Sequence, residues 1–454
     1  MIPRATACNA AGPPAAQATT PQAVVVAAPG MTARTPIQIT TATEASTSAS
    51  VPGDYPARFR SAPERSRRIA RPLRRVARVK TDDEELLHEI GRRLRTRDEL
   101  GAQLARAMRV RDRDDPERVT FAQLRHALNH GIGGVDDPPP ALARFFAVVD
   151  EVPEWVDFDQ VERGARIMRE MGRSVDDVML QLALIGGYRF GGPPDLLVAT
   201  GGLVGATAMR RLGETQKWAL SVLEPNGMRR TGAGFVATVH VRVMHALVNH
   251  EFETNGRWDA DRWGLPINQT DASGTLGLFN STLLLGIRAL GWIVTADQSR
   301  AVMHLWKYVG WLMGVDEDWL FDTEQEQNRH NYHLVLVQAE PTSAGPALAR
   351  ALVEGQLTRD RGRLTALRNR YERARLLSML RYFLGAEGLR QLGLPSAVPW
   401  AVPPIVTANL VRSGLLVRSA AGRRYLERAS ARFSRRNQRA MFGGATPEVG
   451  ALPS

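Results

Sequence analysis

The sequence contains nine histidines, and their spacing decides which of them could hold a metal. His240, His245 and His250 stand five residues apart in one apolar stretch, so successive rings on a helix point about 140° apart. They cannot form the i, i+4 pair of a helical zinc motif. His245 has apolar neighbours on both sides, whereas the other two lie nearer polar residues. We therefore predict that His245 is the buried histidine of the three and the best candidate for a single metal ligand.

Two other groups of ligand-type residues are weaker candidates. A di-iron carboxylate bundle needs two Glu-x-x-His pairs, and the chain has one, Glu85 and His88, on a charged helix. Glu326, His330 and His333 share one helical face at i, i+4 and i+7, but the surrounding sequence is polar throughout and indicates a solvated face. A lone histidine on an apolar helix remains, and it has two interpretations. It could be the proximal ligand of a haem iron, or a core histidine satisfied by its neighbours.

The composition excludes several classes of site and partner. Cys8 is the single cysteine, which rules out disulfides within the chain and cysteine-held zinc or iron–sulfur sites. The net charge is +12, but the excess is concentrated in residues 56–80 and 412–439, and the long middle is slightly acidic. We therefore expect no nucleic-acid partner.

Neither an export signal nor a membrane span is predicted. The arginine-rich piece at 65–80 is followed by acidic residues, where an export signal needs an apolar run. The most apolar long stretch, 276–296, contains Arg288, which is costly at the centre of a bilayer. These features predict a cytoplasmic protein.

Helical signals cover nearly all of the chain after Thr81, and no strand-type alternation or hairpin turn appears. We predict an all-α protein with one large helical domain over 81–404. Residues 1–80 are predicted to be a disordered, basic N-terminal segment. Residues 405–454 are predicted to be a basic C-terminal helix and tail.

Individual helices follow from the apolar spacing and from the breaks. They are predicted over 235–252, over 271–290 as one long apolar helix, and over 296–313. A break is predicted at Gly385, between helices that end at Leu384 and begin at Ala386.

Four segments in order resemble the latex-clearing protein and MpaB-type oxygenase family. They read VHVRVMHALV, WGLPINQTD, LGLFNSTLLLGIRALG and HLWKYVGWLMGVDEDWL, and RYFLGAEGLRQLGLP at 381–395 also fits the family's C-terminal part. The resemblance covers about 170–400. It implies an all-α fold with a globin-like core that holds haem b. It also implies use of dioxygen to cleave carbon–carbon double bonds in isoprenoid chains.

The same resemblance implies particular site residues. His245 would be the proximal ligand of the haem iron, and the distal helix would carry Arg211, Glu214 and Thr215. Arg211 and Thr215 are four residues apart and share a helical face, with Glu214 beside them. Thr215 would donate to a ligand on the iron, and Arg211 would orient a haem propionate or hold Glu214. Glu214 would take a proton from an allylic carbon.

One position departs from the family pattern. Rubber-cleaving members have a lysine where this chain has Glu214, so the local charge is reversed. This departure, together with the absent export signal, argues against polyisoprene and favours a smaller hydrophobic substrate.

The expected function is a haem-dependent oxygenase that uses dioxygen as co-substrate on a hydrophobic, isoprenoid-like alkene. The alternative is a non-catalytic helical binding or scaffold protein that retains the fold. The expected partners are a hydrophobic small molecule or lipid and, through the basic C-terminal helix with Tyr425 and Phe433, the surface of a membrane. No oligomeric state is predicted.

Overall fold

The computed structural model describes residues 55–201 and 206–442, and no strand occurs within these ranges. The all-α prediction is confirmed. The first ten helices are α1 Pro63–Val76, α2 Glu84–Arg92, α3 Glu99–Met108, α4 Phe121–His130, α5 Pro140–Val149, α6 Phe158–Met171, α7 Arg173–Val178, α8 Pro193–Ala199, α9 Ala206–Val222 and α10 Ala233–Thr254. The later ones are α11 Ala260–Trp263, α12 Gln269–Phe279, α13 Ser281–Ala289, α14 Ala296–Leu312, α15 Glu324–Leu336, α16 Ala344–Glu354, α17 Thr365–Gln391, α18 Val402–Leu415 and α19 Ala420–Phe442.

Local sequence explains where several helices begin and end. Helices α14 and α15 each start with a capping box. In each box a threonine side chain accepts the backbone N–H three residues on, and the side chain of that residue accepts the backbone N–H of the threonine. The break predicted near the end of α17 is present, because Gly385 has φ 72° and interrupts the helical backbone. Between α7 and α8 the chain forms a π-helix, Met179–Ile185, a conformation that is often found at functional sites.

Helix α14 forms the centre of the core. It packs against α6, α10, α12 and α15, and its side chains Trp306 and Tyr308 are almost fully buried. The contact with α6 is close because Gly164 lies directly against the backbone of Ala301. A methyl group at Gly164 would overlap the carbonyl oxygen of Ala301, so only glycine allows this helix crossing.

We expect Gly164→Ala to lower the free energy of unfolding by about 1–3 kcal/mol, because the clash is with backbone that cannot rotate away. Gly414→Ala on α18 is the matched control, since no atom lies within reach of its added methyl group. That control should stabilise slightly, by about 0.5–1 kcal/mol, through helix propensity. Urea denaturation measures both. A stability loss shared by the two variants would contradict the proposed close crossing.

The prediction that residues 1–80 are disordered is wrong for the part that the structure describes. Pro63–Val76 form α1, which packs against α15 and buries Ser66 and Ala70. Just before α1, Arg58 forms a buried ion pair with Asp271 at 2.6 Å. Residues 1–54 lie outside the described ranges.

The long helix predicted over 271–290 is two helices, α12 and α13, separated at Asn280 (φ −106°, ψ −92°). The Asn280 side chain accepts the Ser281 N–H and donates to Gln327 on α15 at 2.8 Å. Gln327 in turn donates to Asn331 at 3.0 Å. This buried amide network stabilises the break, and none of its long-range members is visible from local patterning.

The C-terminal boundary also differs from the prediction. The helix expected over about 405–440 is two helices, α18 and α19, joined by a short 3-10 turn at Leu416–Arg418. A domain boundary at 404 is not supported, because the described residues on both sides of it belong to one compact unit and α18 begins at Val402. Within the described ranges, no helix has the length and apolar character that crossing a membrane requires.

Candidate functional site

Helices α9 and α10 form an antiparallel pair that sets the position of the candidate residues. The Trp218 indole donates to Thr238 Oγ1 at 3.0 Å, and Gly234 lies against the backbone of Val222 nearer the turn. Arg211 and His245 each lie seven residues beyond the Trp218–Thr238 bond, roughly 10 Å along their helices. The register therefore places Arg211 on α9 level with His245 on α10.

The His245 ring lies deep in the protein without being packed. Burial lowers its pKa to about 4, while the charge of Asp98 acts in the opposite direction. Its side chain is nevertheless exposed, whereas those of His240 and His250 are intermediate. The prediction that His245 is the buried histidine of the three therefore holds for the depth of its ring among protein atoms and is wrong for the solvent exposure of its side chain. Among the described residues the ring has no hydrogen-bond partner, so a neutral imidazole nitrogen is free to bind a metal.

Two buried contacts hold α10 on either side of His245. Three residues before it, Arg242 makes a bidentate ion pair with Asp98 at 2.6 and 2.7 Å. Four residues after it, the Asn249 amide accepts from the N–H of Ile267 at 2.7 Å and donates to the carbonyl of the same residue at 2.8 Å. These contacts fix the rotation of α10 on both sides of His245, and so they fix the direction of the ring.

The WGLPINQTD segment is a structural support for this helix. Beyond the Asn249–Ile267 bonds, Asn268 caps α12 by accepting the Asp271 N–H. The buried Gln269 side chain donates to the carbonyl of Gly314 at 2.8 Å and accepts the Asp316 N–H at 3.0 Å. The polar residues of this motif therefore fasten the loop after α10 to the core. These supports were not predicted from the sequence. The signal that could have indicated them is Asn249, a polar residue in an apolar helix one turn after His245.

The three residues predicted on α9 have different partners. Arg211 Nη1 donates to Thr200 Oγ1 at 3.2 Å. Glu214 Oε1 lies 3.6 Å from Nε of Arg210, one turn earlier, so its ion-pair partner is Arg210 and not Arg211. The Thr215 side chain is exposed, although Trp218 one turn later on the same face is buried. The Thr215 side chain is thus exposed, and among the described residues Thr200 is the hydrogen-bond partner of the half-buried Arg211 guanidinium.

The donor set fits a haem better than a metal held by side chains alone. Within the described ranges, no group of three or more histidine, cysteine or carboxylate residues could hold a metal ion. An iron at His245 would therefore take its other ligands from outside this set of described side chains. A neutral imidazole on one helix, with an arginine and a hydroxyl on the facing helix, is a suitable set for such a group.

The prediction that the polar face of α15 is solvated is wrong for its two histidines, although Glu326 is exposed. His330 and His333 are 1% and 0% exposed. His330 Nε2 bonds Ser273 Oγ at 3.1 Å, and burial lowers its pKa to about 3. His333 Nε2 accepts the Asp83 N–H at 3.0 Å, and its Nδ1 lies 2.8 Å from the carbonyl of Arg329. Both histidines are buried in the core. His245 differs from them, because its side chain is exposed.

Comparison with known proteins gives the family. The model of the family "ER-bound oxygenase mpaB/B'/Rubber oxygenase, catalytic domain" matches residues 177–413, more than half of the chain. The chain belongs to this family, and the predicted resemblance is confirmed.

A curated relative and a solved structure show how distant these similarities are. A rubber oxygenase of Streptomyces sp. (strain K30) is 22% identical over 264 residues, which are 56% of this chain and 61% of the Streptomyces protein. The match therefore spans less than two thirds of that relative's length. The structure of latex clearing protein in its closed state is similar with a TM-score of 0.50 and 18% identity, and the match covers 72% of this chain and 91% of that one. This likeness supports the fold.

Proposed function

We propose that this protein is a haem b-dependent oxygenase that uses dioxygen on a hydrophobic, isoprenoid-like alkene. The observation that carries the proposal is the His245 ring, which is neutral, deep, unpacked and level with Arg211. Membership of a family named for oxygenases supports the same class of reaction. When bound, the haem supplies an iron that activates dioxygen.

The chain's own residues have separate roles in this proposal. His245 binds the iron, and the Arg242–Asp98 and Asn249–Ile267 contacts orient its helix. Arg211 keeps one N–H on Thr200 and offers its other donors to a propionate carboxylate, a pairing that suits a guanidinium.

Thr215 and Glu214 are proposed to act on the oxygen and on the substrate. The Thr215 hydroxyl would donate a hydrogen bond to a dioxygen molecule held in the pocket. Glu214 Oε1 is turned to Arg210, which leaves Oε2 to accept a proton from the allylic carbon. Glu214 would return this proton before the products leave, because cleavage keeps every hydrogen of the alkene. In double-bond cleavage one oxygen atom of dioxygen is placed on each alkene carbon, so two carbonyl products form. The carboxylate at 214, where the rubber-cleaving pattern has a lysine, leads us to propose a smaller lipid alkene than polyisoprene.

We expect Thr215→Val to slow turnover about 100-fold or more, because one preorganised donor to the reacting oxygen is lost. The measurement is oxygen uptake by haem-loaded protein with squalene, with its saturated analogue squalane as the blank. Thr254→Val is the matched control, since that exposed hydroxyl only caps the carbonyls at the end of α10. Under ¹⁸O₂ each carbonyl product should carry one labelled oxygen.

The same assay separates the enzyme from the scaffold alternative. A protein that binds no haem, or binds haem but consumes no oxygen with any lipid alkene tried, would be a non-catalytic member that retained the fold. Products whose carbonyl oxygens come from water would also contradict the proposed use of dioxygen.

A further inference from the structure

Helix α19 docks on the protein through its inner face. Leu426 is 5% exposed, and the Phe433 ring lies under the Arg173 guanidinium at 5.1 Å. Asn437 accepts a hydrogen bond from the buried Arg359 at 2.6 Å. The apolar face of the helix is therefore occupied within the protein. Phe433 is not free to enter a membrane, contrary to the expectation from sequence.

The outer face of α19 carries a stripe of exposed arginines that extends for about 22 Å. None of them forms an ion pair with a described residue, and the one acid of the helix, Glu427, lies away from them near Glu170. The outer face thus presents only positive charge. We call these residues the α19 stripe: Arg424, Arg428, Arg432, Arg435, Arg436 and Arg439.

Exposed apolar side chains occur at the start of α19 and near the end of α18. Tyr425 is 56% exposed and, with Ala421 and the first three arginines of the stripe, lines a shallow groove. Leu415, at the end of the preceding helix, is 65% exposed, and Val411 one turn earlier is 50% exposed. An exposed tyrosine with flanking arginines is typical of the boundary between lipid headgroups and acyl chains.

We propose that the α19 stripe is a docking surface for an anionic lipid bilayer. Its charge is complementary to acidic headgroups, and Tyr425 and Leu415 supply apolar contacts that a phosphate backbone of nucleic acid does not need. Helix α1 is also basic, but acids at 82–85 follow it directly, and the Arg74 guanidinium is already bonded to the Val79 carbonyl. The inference is independent of the haem proposal.

The test is co-sedimentation of the full chain with vesicles of phosphatidylcholine, with or without phosphatidylserine. We expect binding only when phosphatidylserine is present, and weaker binding as salt rises. The variant Arg424→Gln/Arg428→Gln/Arg432→Gln should bind about 100-fold more weakly, since each arginine near an anionic surface contributes about fivefold. Thermal midpoints measured alongside should match that of the unaltered chain, because these exposed side chains form no ion pair or hydrogen bond with a described residue.

The matched control is Arg67→Gln/Arg71→Gln/Arg75→Gln on α1, which removes the same charge at the same spacing. It should retain binding within about threefold of the unaltered chain. An equal loss in the two triple variants would overturn the proposal, because binding would then follow total charge. Equal binding to neutral vesicles, or tighter binding to a duplex DNA probe than to the anionic vesicles, would overturn it as well.

Discussion

Replacing His245 by alanine is expected to weaken haem binding by more than about 100-fold. The ring would be the metal's protein ligand, and even residues that only orient such ligands cost about 10- to 100-fold when they are removed. His250→Ala on the same helix is the control, because that ring is half-buried beside the arginines of α3 and its following loop, away from the proposed site. Absorption spectra of the two variants after haem addition make the comparison. Loss of the haem band in both would indicate a damaged helix instead of a lost ligand.

The same substitution should also change the acid stability of the haem-free protein. The folded pKa of His245 is about 4, below the ordinary value of 6.5, so between these values the unfolded chain binds a proton that the folded ring does not. Stability therefore falls as the pH drops from about 6.5 towards 4, and His245→Ala should remove part of that fall. Denaturation midpoints at pH 7 and pH 5 measure it. An unchanged pH dependence would show that the ring is not buried as neutral imidazole.

The second large effect is expected at the buried ion pair of Arg375 and Asp177, which joins α17 to α7. Their side chains are 8% and 10% exposed. The guanidinium donates two hydrogen bonds to the carboxylate, one to each oxygen, and the one from Nη1 to Oδ1 is 2.7 Å long. Burial opposes the charge of Arg375, but hydrogen bonding to Asp177 overcomes it and raises the pKa of the guanidinium. We expect Arg375→Met to lower the free energy of unfolding by about 3–5 kcal/mol, because it leaves the buried Asp177 carboxylate with only the Gln181 amide at 3.3 Å and the more distant Arg173 at 3.9 Å.

The double variant Asp177→Leu/Arg375→Met separates this cause from a packing defect. It removes both charges, so most of the lost stability should return. Urea denaturation of the two single variants and the double variant closes the cycle. A double variant as unstable as the sum of the singles would contradict the ion-pair account.

The parts of the fold that were predicted correctly depend on local sequence. Helix α10 was predicted over 235–252 and spans Ala233–Thr254, because its residues are apolar and uninterrupted. The break at Gly385 was predicted because glycine adopts positive φ without strain. Such features need no knowledge of distant residues.

The parts that were missed depend on distant partners. The break at Asn280 is stabilised by Gln327 of α15, a contact 47 positions away in sequence. His330 and His333 have polar neighbours in sequence, yet they are buried, where Nε2 of His330 bonds Ser273 and Nε2 of His333 accepts the Asp83 N–H. Helix α1 has the composition of a linker and becomes ordered by packing against α15. In each case a tertiary contact outweighs the local pattern.

The candidate site shows the same division. His245 was selected from nine histidines by spacing and by its apolar neighbours, before any partner was known. Its supports, the Arg242–Asp98 ion pair and the Asn249–Ile267 bonds, join segments far apart in sequence and needed the structure. The pairing of Glu214 with Arg210 instead of Arg211 likewise depends on side-chain placement.

The most direct test of the central claim is a titration of the purified, unaltered protein with haem b, followed by absorption spectroscopy. We expect a saturable Soret band at one haem per chain, which shifts when carbon monoxide is added to the reduced protein. We also expect that His245→Ala produces no saturable band. A titration of the unaltered protein that shows only the spectrum of free haem would contradict the assignment of His245 as an iron ligand.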